Sequence, residues 1–595
     1  MKETSDADVF RQSRVENNAE SARDSDQFVG SATCLECHQS EHASYLHTAH
    51  SQAMSVVAPA KEPPDTSFDH KPSGRRYRVF RKNGELWHSE ELQTSDNGAG
   101  QRNDHEKLKI AERLEFLIGS GRHSRTYAVK RNNILIESPI TWYQSKQSWA
   151  MSPGYDHPHH DSFERATDFG CLICHVGNVE SSPDHGGQLK IVETAIGCER
   201  CHGPGAEHAE KWRNSSPTAS RSGQDSTIVN PRRLTRERSE SICAQCHLRG
   251  NATVLVSGKS LRDFLPGMLL TDVRIDYRLT SNSDTMKVVG HVDQMHASRC
   301  FQKSESLSCI TCHDMHKEQS KQNDSELYQR QCLECHQSSS CGLPSEQRLQ
   351  QVDNNCVKCH MPQVPTDIPH IAFTHHRIGV HDETLTDPQN DSSELMLEPF
   401  YPVNEPSPSE KSQRDSLRNL SLAYLELADK QSDPDEGTRC REKAAKLLQQ
   451  IIQTDSADGD VYAAMGRMAW EQNAPEAAIR YSHLAITNPR LSDGARINSL
   501  LVAGDSHLQL NQSALAVTHL RQLTNLRNRS QDWWLLGMAL YQSGDREIAL
   551  DALATAVSIQ PFRGDIRRTY SQMLQDQGRT KDSIEQLRLA EYLEK

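Results

Sequence analysis

Apolar and polar positions alternate in different textures along this chain. Residues 1–28 are polar and rich in Ser, Asp, Glu and Arg. Such a composition buries too little apolar surface to order a backbone, so a disordered N-terminal segment is expected. From about 65 to 150 the apolar residues come in short runs of strand character. Tyr77-Arg78-Val79-Phe80 and Leu86-Trp87 flank Asn83-Gly84, a dipeptide that accepts the positive φ of a two-residue hairpin turn. Tyr127-Ala128-Val129 and Ile134-Leu135-Ile136 continue the β pattern. A stretch rich in Pro, Ser, Asp and Glu at 382–412, with Pro406-Ser407-Pro408, reads as a linker. Beyond it, over 413–595, the texture is that of amphipathic helices. No stretch is long and apolar enough to cross a membrane.

The helical part carries a period. Trp533, Leu536, Gly537, Ala549, Leu553, Ala556 and Pro561 stand at the offsets of a tetratricopeptide repeat (TPR), and a shift of about 34 residues brings Leu574, Leu587 and Ala590 to equivalent places. An earlier unit shows Tyr462, Met465, Gly466, Ala478 and Ala485, with weaker units near 415–455 and 495–527. Small residues at the helix crossings let paired helices approach, and stacking buries faces that one repeat cannot bury alone. An all-α TPR solenoid, with a peptide or protein ligand, is expected there.

The cysteines change the picture of everything before 382. Of 17 cysteines, fourteen lie in seven copies of Cys-x-x-Cys-His. They are Cys34, Cys37 and His38; Cys171, Cys174 and His175; Cys198, Cys201 and His202; Cys243, Cys246 and His247; Cys309, Cys312 and His313; Cys332, Cys335 and His336; and Cys356, Cys359 and His360. This is the attachment signature of heme c: two thiols bond one porphyrin and the adjoining imidazole reaches its iron as proximal ligand. Structural zinc also uses Cys-x-x-Cys, but does not need a histidine after the second cysteine in all seven copies. Seven covalent hemes would supply the apolar surface that this polar chain, 35% hydrophobic, lacks for a core. The net charge of −13 argues against nucleic acid and for basic docking partners, here redox partner proteins. Heme attachment of this kind takes place outside the cytoplasm, so a periplasmic or exported location is expected, although residues 1–30 hold no apolar signal core.

Several stretches resemble the cytochrome c-554-type multiheme proteins that are fused to TPR arrays. They are Val29-Gly30-Ser31-Ala32-Thr33-Cys34, Gly197-Cys198-Glu199-Arg200-Cys201-His202-Gly203-Pro204-Gly205, Cys309-Ile310-Thr311-Cys312-His313, and Cys356-Val357-Lys358-Cys359-His360-Met361-Pro362 followed by Asp367-Ile368-Pro369-His370. The resemblance implies an exported electron carrier and fixes no substrate. Seven motifs exceed the four of the family's namesake. The expected architecture is multidomain: a loop- and helix-rich heptaheme cytochrome c domain over 29–381, with the β-rich insert, a linker, and the TPR domain.

A six-coordinate iron needs a second axial ligand, and 26 of 29 histidines precede residue 382. Distal candidates are His50, His123, His208, His291, His316, His370 and His376. His316 is the sharpest, because the last histidine of Cys-x-x-Cys-His-x-x-His commonly serves a neighbouring heme. His70, His88, His105 and His185 read as surface or capping residues, and His157, His159 and His160 as an exposed loop cluster. Met54, Met295 and Met361 read as core packing before sulfur ligation. His483, His507 and His519 read as structural, Cys440 as a buried apolar residue, and Cys300 with Cys341 as a plausible disulfide. The main functional expectation is electron transfer through closed hemes. The alternative is a multiheme oxidoreductase acting on a small nitrogen or sulfur compound at an iron with an open position. Tyr127 and Tyr155 are at hand for it, but no sequence signal marks either as catalytic.

Overall fold

The Asn83-Gly84 turn closes the hairpin that its sequence announces. Both residues hold positive φ (52° and 78°), and Lys82 pairs with Glu85 across it. The computed structural model describes residues 27–92, 108–131, 134–167, 169–182, 185–215, 225–280, 290–318, 324–363, 374–381, 395–402, 408–453 and 457–594. The expected disordered segment therefore lies almost wholly outside the described residues, as do His105 and His370. Around the hairpin an eight-stranded antiparallel sheet forms from β1 (Met54–Val56), β2 (Thr66–His70), β3 (Arg75–Lys82), β4 (Glu85–Leu92), β5 (Lys109–Ile118), β6 (Ser124–Arg131), β7 (Ile134–Tyr143) and β8 (Ser148–Met151). Strands β2 to β8 follow in sequence order, and β1 pairs with β5. The insert thus begins earlier than its apolar runs indicate, because β1 is only three residues long.

Alternation along β3 turns Tyr77 and Val79 inward and leaves Arg76 and Arg78 exposed. Tyr77, Val79, Leu86, Ile110, Leu114, Val129, Ile136 and Trp149 build one core. Each such side chain contributes about 1.5–3 kcal/mol by leaving water. Three histidines read as surface residues are instead buried here. His88 bonds Ser138 Oγ through Nδ1 (2.7 Å), His70 lies between Ser73 and Asp156, and His160 meets the Tyr77 hydroxyl at 2.7 Å. Burial pushes the His88 imidazole down to about 3, and burial with the Arg75 charge does the same for His160. Short-range pattern could not reveal this, since each histidine is satisfied by a partner distant in sequence. His157 and His159 are exposed.

Ten helices follow residue 409 among the described residues: α1 Glu410–Lys430, α2 Pro434–Ile452, α3 Gly459–Glu471, α4 Pro475–Ile486, α5 Asp493–Gln509, α6 Ser513–Leu526, α7 Ser530–Ser543, α8 Arg546–Ile559, α9 Gly564–Asp576 and α10 Thr580–Leu593. They pack as consecutive pairs, and the crossings use the small residues anticipated. Ala478, Ala485, Ala549, Ala556 and Ala590 are fully buried. A Cβ on Gly537 would stand 2.9 Å from Leu553 Cγ, and one on Gly504 2.6 Å from Leu520 Cγ.

The chain divides into two compact units. One holds the sheet together with residues 456–595: Phe562, Leu589, Tyr592 and Leu593 join the sheet core, Arg75 lies 4.4 Å over the Phe562 ring, and the Glu164 carboxylate accepts from Ser530 N (2.8 Å) and Oγ (2.9 Å). The other holds 1–53, 173–178 and 193–455. In it a small sheet of β11 (Ala252–Leu255), β12 (Arg274–Leu279) and β13 (Leu397–Pro399) receives α1, with Val254, Tyr277 and Leu397 against Ala423, Tyr424 and Leu427. Strand β13 and the start of α1 occupy part of the stretch that reads as a linker. Between β8 and β11 runs a two-stranded hairpin, β9 (Val176–Ser182) and β10 (His185–Thr194).

Candidate heme sites

Six of the seven motifs form one turn of helix, and that geometry arranges their chemistry; in the second, only Cys171 and Leu172 are helical, and Ile173, Cys174 and His175 form a turn. The amide of His38 reaches Cys34 O at 2.9 Å, as do His202 to Cys198 O (3.0 Å), His313 to Cys309 O (3.0 Å) and His336 to Cys332 O (2.9 Å). One turn of this kind sets both thiols and the imidazole on neighbouring parts of one short surface. Ring orientation is fixed by backbone carbonyls. His175 Nδ1 meets Ala53 O at 3.0 Å, His202 Nδ1 meets Val229 O at 2.8 Å, and His360 Nδ1 meets Gly379 O at 2.9 Å. A carbonyl only accepts, so Nδ1 carries the proton and Nε2 keeps its lone pair for a metal.

Four proximal histidines face a second imidazole. Ring centroids lie 6.2 Å apart for His38 and His208, 5.9 Å for His247 and His50, 5.9 Å for His202 and His316, and 6.2 Å for His313 and His376. Two imidazoles on one iron, each with a metal–nitrogen bond of about 2 Å, have centroids about 6 Å apart, so these residues fit bis-histidine heme. The second rings are also anchored at Nδ1: His208 by Asp225 (2.9 Å) and His376 by Thr374 O (2.8 Å). Burial lowers the basicity of His50, His202, His247 and His376, His247 down to about 4. The shift favours the neutral imidazole, the form a metal ligand requires.

The other distal candidates are placed differently. His291 Nδ1 lies 3.2 Å from His247 Nδ1, and its ring is 4.9 Å from His247 and 4.7 Å from His376, too close to admit an iron between them. It sits beside two ligand candidates and opposite neither. His123 is exposed in the turn before β6, and its carbonyl accepts from Gln144 N. Met54 and Met295 are buried in packing roles, whereas Met361 is half-buried. Tyr127 donates to Glu62 and Tyr155 to the Glu137 carbonyl, both within the sheet unit. Cys440 is buried, and His507 and His519 stack in the helical array.

Thiols of different motifs meet. Cys34 is within hydrogen-bond reach of Cys198, Cys174 of Cys246, Cys243 of Cys309 and Cys332 of Cys356. Residues inside the motifs tie them together. The buried Glu199 carboxylate accepts from the amides of Val29 (3.0 Å), Gly30 (2.8 Å) and Gly205 (2.7 Å), fastening the first motif to the third. Arg200 donates to Ile173 O (3.0 Å) and Gln245 Oε1 (2.6 Å), reaching the second and fourth. Arg274 donates to Gln245 O, Ala244 O and Leu248 O at the end of the fourth motif's helix. These three charged residues and Asp225 escaped sequence reasoning. The signal available was that Glu199 and Arg200 occupy the variable positions of the third motif.

Cys300 and Cys341 are both free thiols in this structure, so the disulfide that the sequence makes plausible is not formed. Cys341 is held by Leu343 N and Arg348, while Cys300 Sγ lies 4.0 Å from His336 Nε2.

These motifs and paired imidazoles have the arrangement by which c-type cytochromes attach heme c and ligate its iron. Residues 140–203, which include the second and third motifs, match the family model for cytochrome c554 and c-prime. No curated protein matches the chain. Among solved structures, the TPR-like helical region is similar to MamA from residue 41 to the end of Desulfovibrio magneticus RS-1 (17% identity, 31% of this chain and 95% of that chain, TM-score 0.26). It is likewise similar to YrrB, described as a TPR protein with an unusual peptide-binding site (19% identity, 31% of this chain and 89% of that chain, TM-score 0.26).

Proposed function

We propose that this chain is an exported, periplasmic electron carrier that binds seven heme c groups and docks to protein partners through its TPR helices. Heme c supplies reversible one-electron transfer when bound. The protein's own part is to attach, orient and enclose it. The observation that carries the reading is the four imidazole pairs at 5.9–6.2 Å. His208, His50, His316 and His376 are assigned as distal ligands for His38, His247, His202 and His313. Carbonyl and carboxylate partners at Nδ1 keep the rings in place and strengthen them as donors. Contacts between cysteines of the first and third, second and fourth, fourth and fifth, and sixth and seventh motifs make those motifs neighbours, which favours transfer between sites.

The test is performed on the secreted protein. Intact mass gives the heme number, and electron paramagnetic resonance (EPR) of the oxidised protein is compared with and without nitrite, hydroxylamine and sulfite. Seven hemes with low-spin signals unmoved by these ligands support the carrier. A high-spin signal converted by one of them overturns it in favour of an oxidoreductase with an open iron.

A further inference from the structure

At the sixth motif the group facing the proximal histidine is a sulfur atom. We propose that Cys300 is the axial ligand opposite His336, which gives this heme histidine–thiolate coordination. The proposal rests on the heme c reading above and goes beyond it, since every distal candidate the sequence offered was a histidine or a methionine.

Two observations meet here. Cys300 Sγ is 4.0 Å from His336 Nε2, the nitrogen that a Cys-x-x-Cys-His motif presents to iron. A metal–nitrogen bond of about 2.0 Å in line with a metal–sulfur bond of about 2.3 Å separates the two atoms by about 4.3 Å. The sulfur is thus within a few tenths of an ångström of its place, as the paired imidazoles are of theirs. Among the described residues, no histidine ring is paired with His336.

Second, the segment that carries Cys300 is held firmly. Its short helix, Arg299–Lys303, is capped by Ser298, whose buried side chain accepts from Phe301 N. Phe301 is clamped between the Arg236 guanidinium, 3.9 Å from its ring centroid, and the His296 ring, whose centroid is 4.0 Å away. Arg236 also donates to Ser304 O, and His296 to Glu240 at 2.7 Å. A thiol presented on so fixed a turn is preorganised toward its partner.

On binding ferric iron the Cys300 thiol gives its proton to solvent and the iron–sulfur bond forms. No electron is transferred in that step. A thiolate donates more charge than an imidazole, so this heme has a lower potential than its bis-histidine neighbours and is the last to be reduced.

The experiment uses the full-length holoprotein. Intact mass first counts the hemes: fewer than seven would defeat the heme reading itself, independently of the ligand question. EPR and near-infrared magnetic circular dichroism of the oxidised protein then look for a histidine–thiolate low-spin component. The expected result is such a component amounting to one heme in seven. It is lost in Cys300→Ala, replaced by a bis-histidine signal with a raised potential in Cys300→His, and unchanged in Cys341→Ala. The proposal is overturned if the wild-type spectra contain no thiolate component, a result that needs no variant to mature, or if Cys300→Ala retains it.

Discussion

Glu199 offers the sharpest test of how the motifs are held together. Its carboxylate is 5% exposed and takes three amide protons at 2.7–3.0 Å, from Val29 and Gly30 before the first motif and from Gly205 after the third. Hydrogen bonds to a charged acceptor are worth about 1.5–3 kcal/mol each, so Glu199→Ala removes about 6 kcal/mol of gross interaction. Part of this is returned. Burial raises the Glu199 carboxyl above its usual range, which marks a desolvation cost that the alanine does not bear, and the half-buried Val29 and Gly30 amides regain water. The buried Gly205 amide does not. A net local loss of about 3 kcal/mol remains, or about a hundredfold in an opening equilibrium. Glu199→Gln keeps one carbonyl oxygen and is expected to lose about half of that free energy, about tenfold. Hydrogen exchange read by mass spectrometry on peptides covering 29–34 and 203–206 measures both, with strand β3 as an internal reference in the other unit. If Glu199→Ala leaves those amides within about threefold of wild type, the carboxylate does not hold the two motifs and the reasoning fails.

His208→Ala and His316→Ala are each expected to turn one low-spin heme high-spin in EPR, with added imidazole restoring it, whereas His291→Ala should create no high-spin signal; a high-spin signal from His291→Ala would make it a ligand after all. His88 and His160 have folded-state values near 3, below the ordinary 6.5, so the unfolded chain takes up protons that the folded sheet refuses. Their stabilisation is complete above about pH 6.5 and falls as pH drops toward 3, by about 2 kcal/mol per histidine at pH 5. Amide protection of β4 between pH 5 and 7 checks this, and His88→Gln should flatten part of the slope. In the helical array, Gly537→Val drives side-chain atoms into Leu553 Cγ (2.9 Å from the new Cβ) and toward Ala549 O (3.3 Å). A cost of about 1–3 kcal/mol is expected as a lowered melting midpoint, while Gly494→Ala, whose Cβ meets nothing within 4 Å, should be neutral or stabilising.

Local pattern carried the fold as far as local forces determine it. The hairpin at Asn83-Gly84 follows from two backbone conformations, and the repeat crossings follow from small residues at fixed spacing. Grouping of the elements did not follow. The insert and the helices after 456 share a core through Phe562 and Leu589, residues with no marker that separates them from ordinary repeat packing. Strand β13 is three residues long within a polar stretch and exists because β12 and Tyr424 offer it partners. The burial of the sheet's histidines is hidden from local pattern for the same reason. A histidine is polar by composition, and whether it is solvated or enclosed depends on a partner such as Ser138 or Tyr77 that arrives only when the strands pair.

The heme sites divide along the same physical line. A proximal ligand must lie within one helical turn of the two thiols that share its porphyrin, so five consecutive residues contain the whole constraint. A distal ligand has to satisfy only a distance, and any imidazole that tertiary structure carries to the far side will do. His38 and His208 meet although strands β1 to β8 and the second and third motifs lie between them in sequence, and His316, three residues beyond His313, faces His202 instead. Chemical type narrowed the candidates to histidines because they are abundant before residue 382. That same abundance hid Cys300, since a cysteine outside a motif reads first as half of a disulfide. Its distance from His336 Nε2 is the kind of information that only the folded chain holds. The second anchor, at Nδ1, is likewise a tertiary property: Asp225 and the carbonyls of Ala53, Val229 and Gly379 come from loops that no motif marks. Attachment is therefore written locally in this chain, whereas coordination number and potential are written in how its loops return to the motifs.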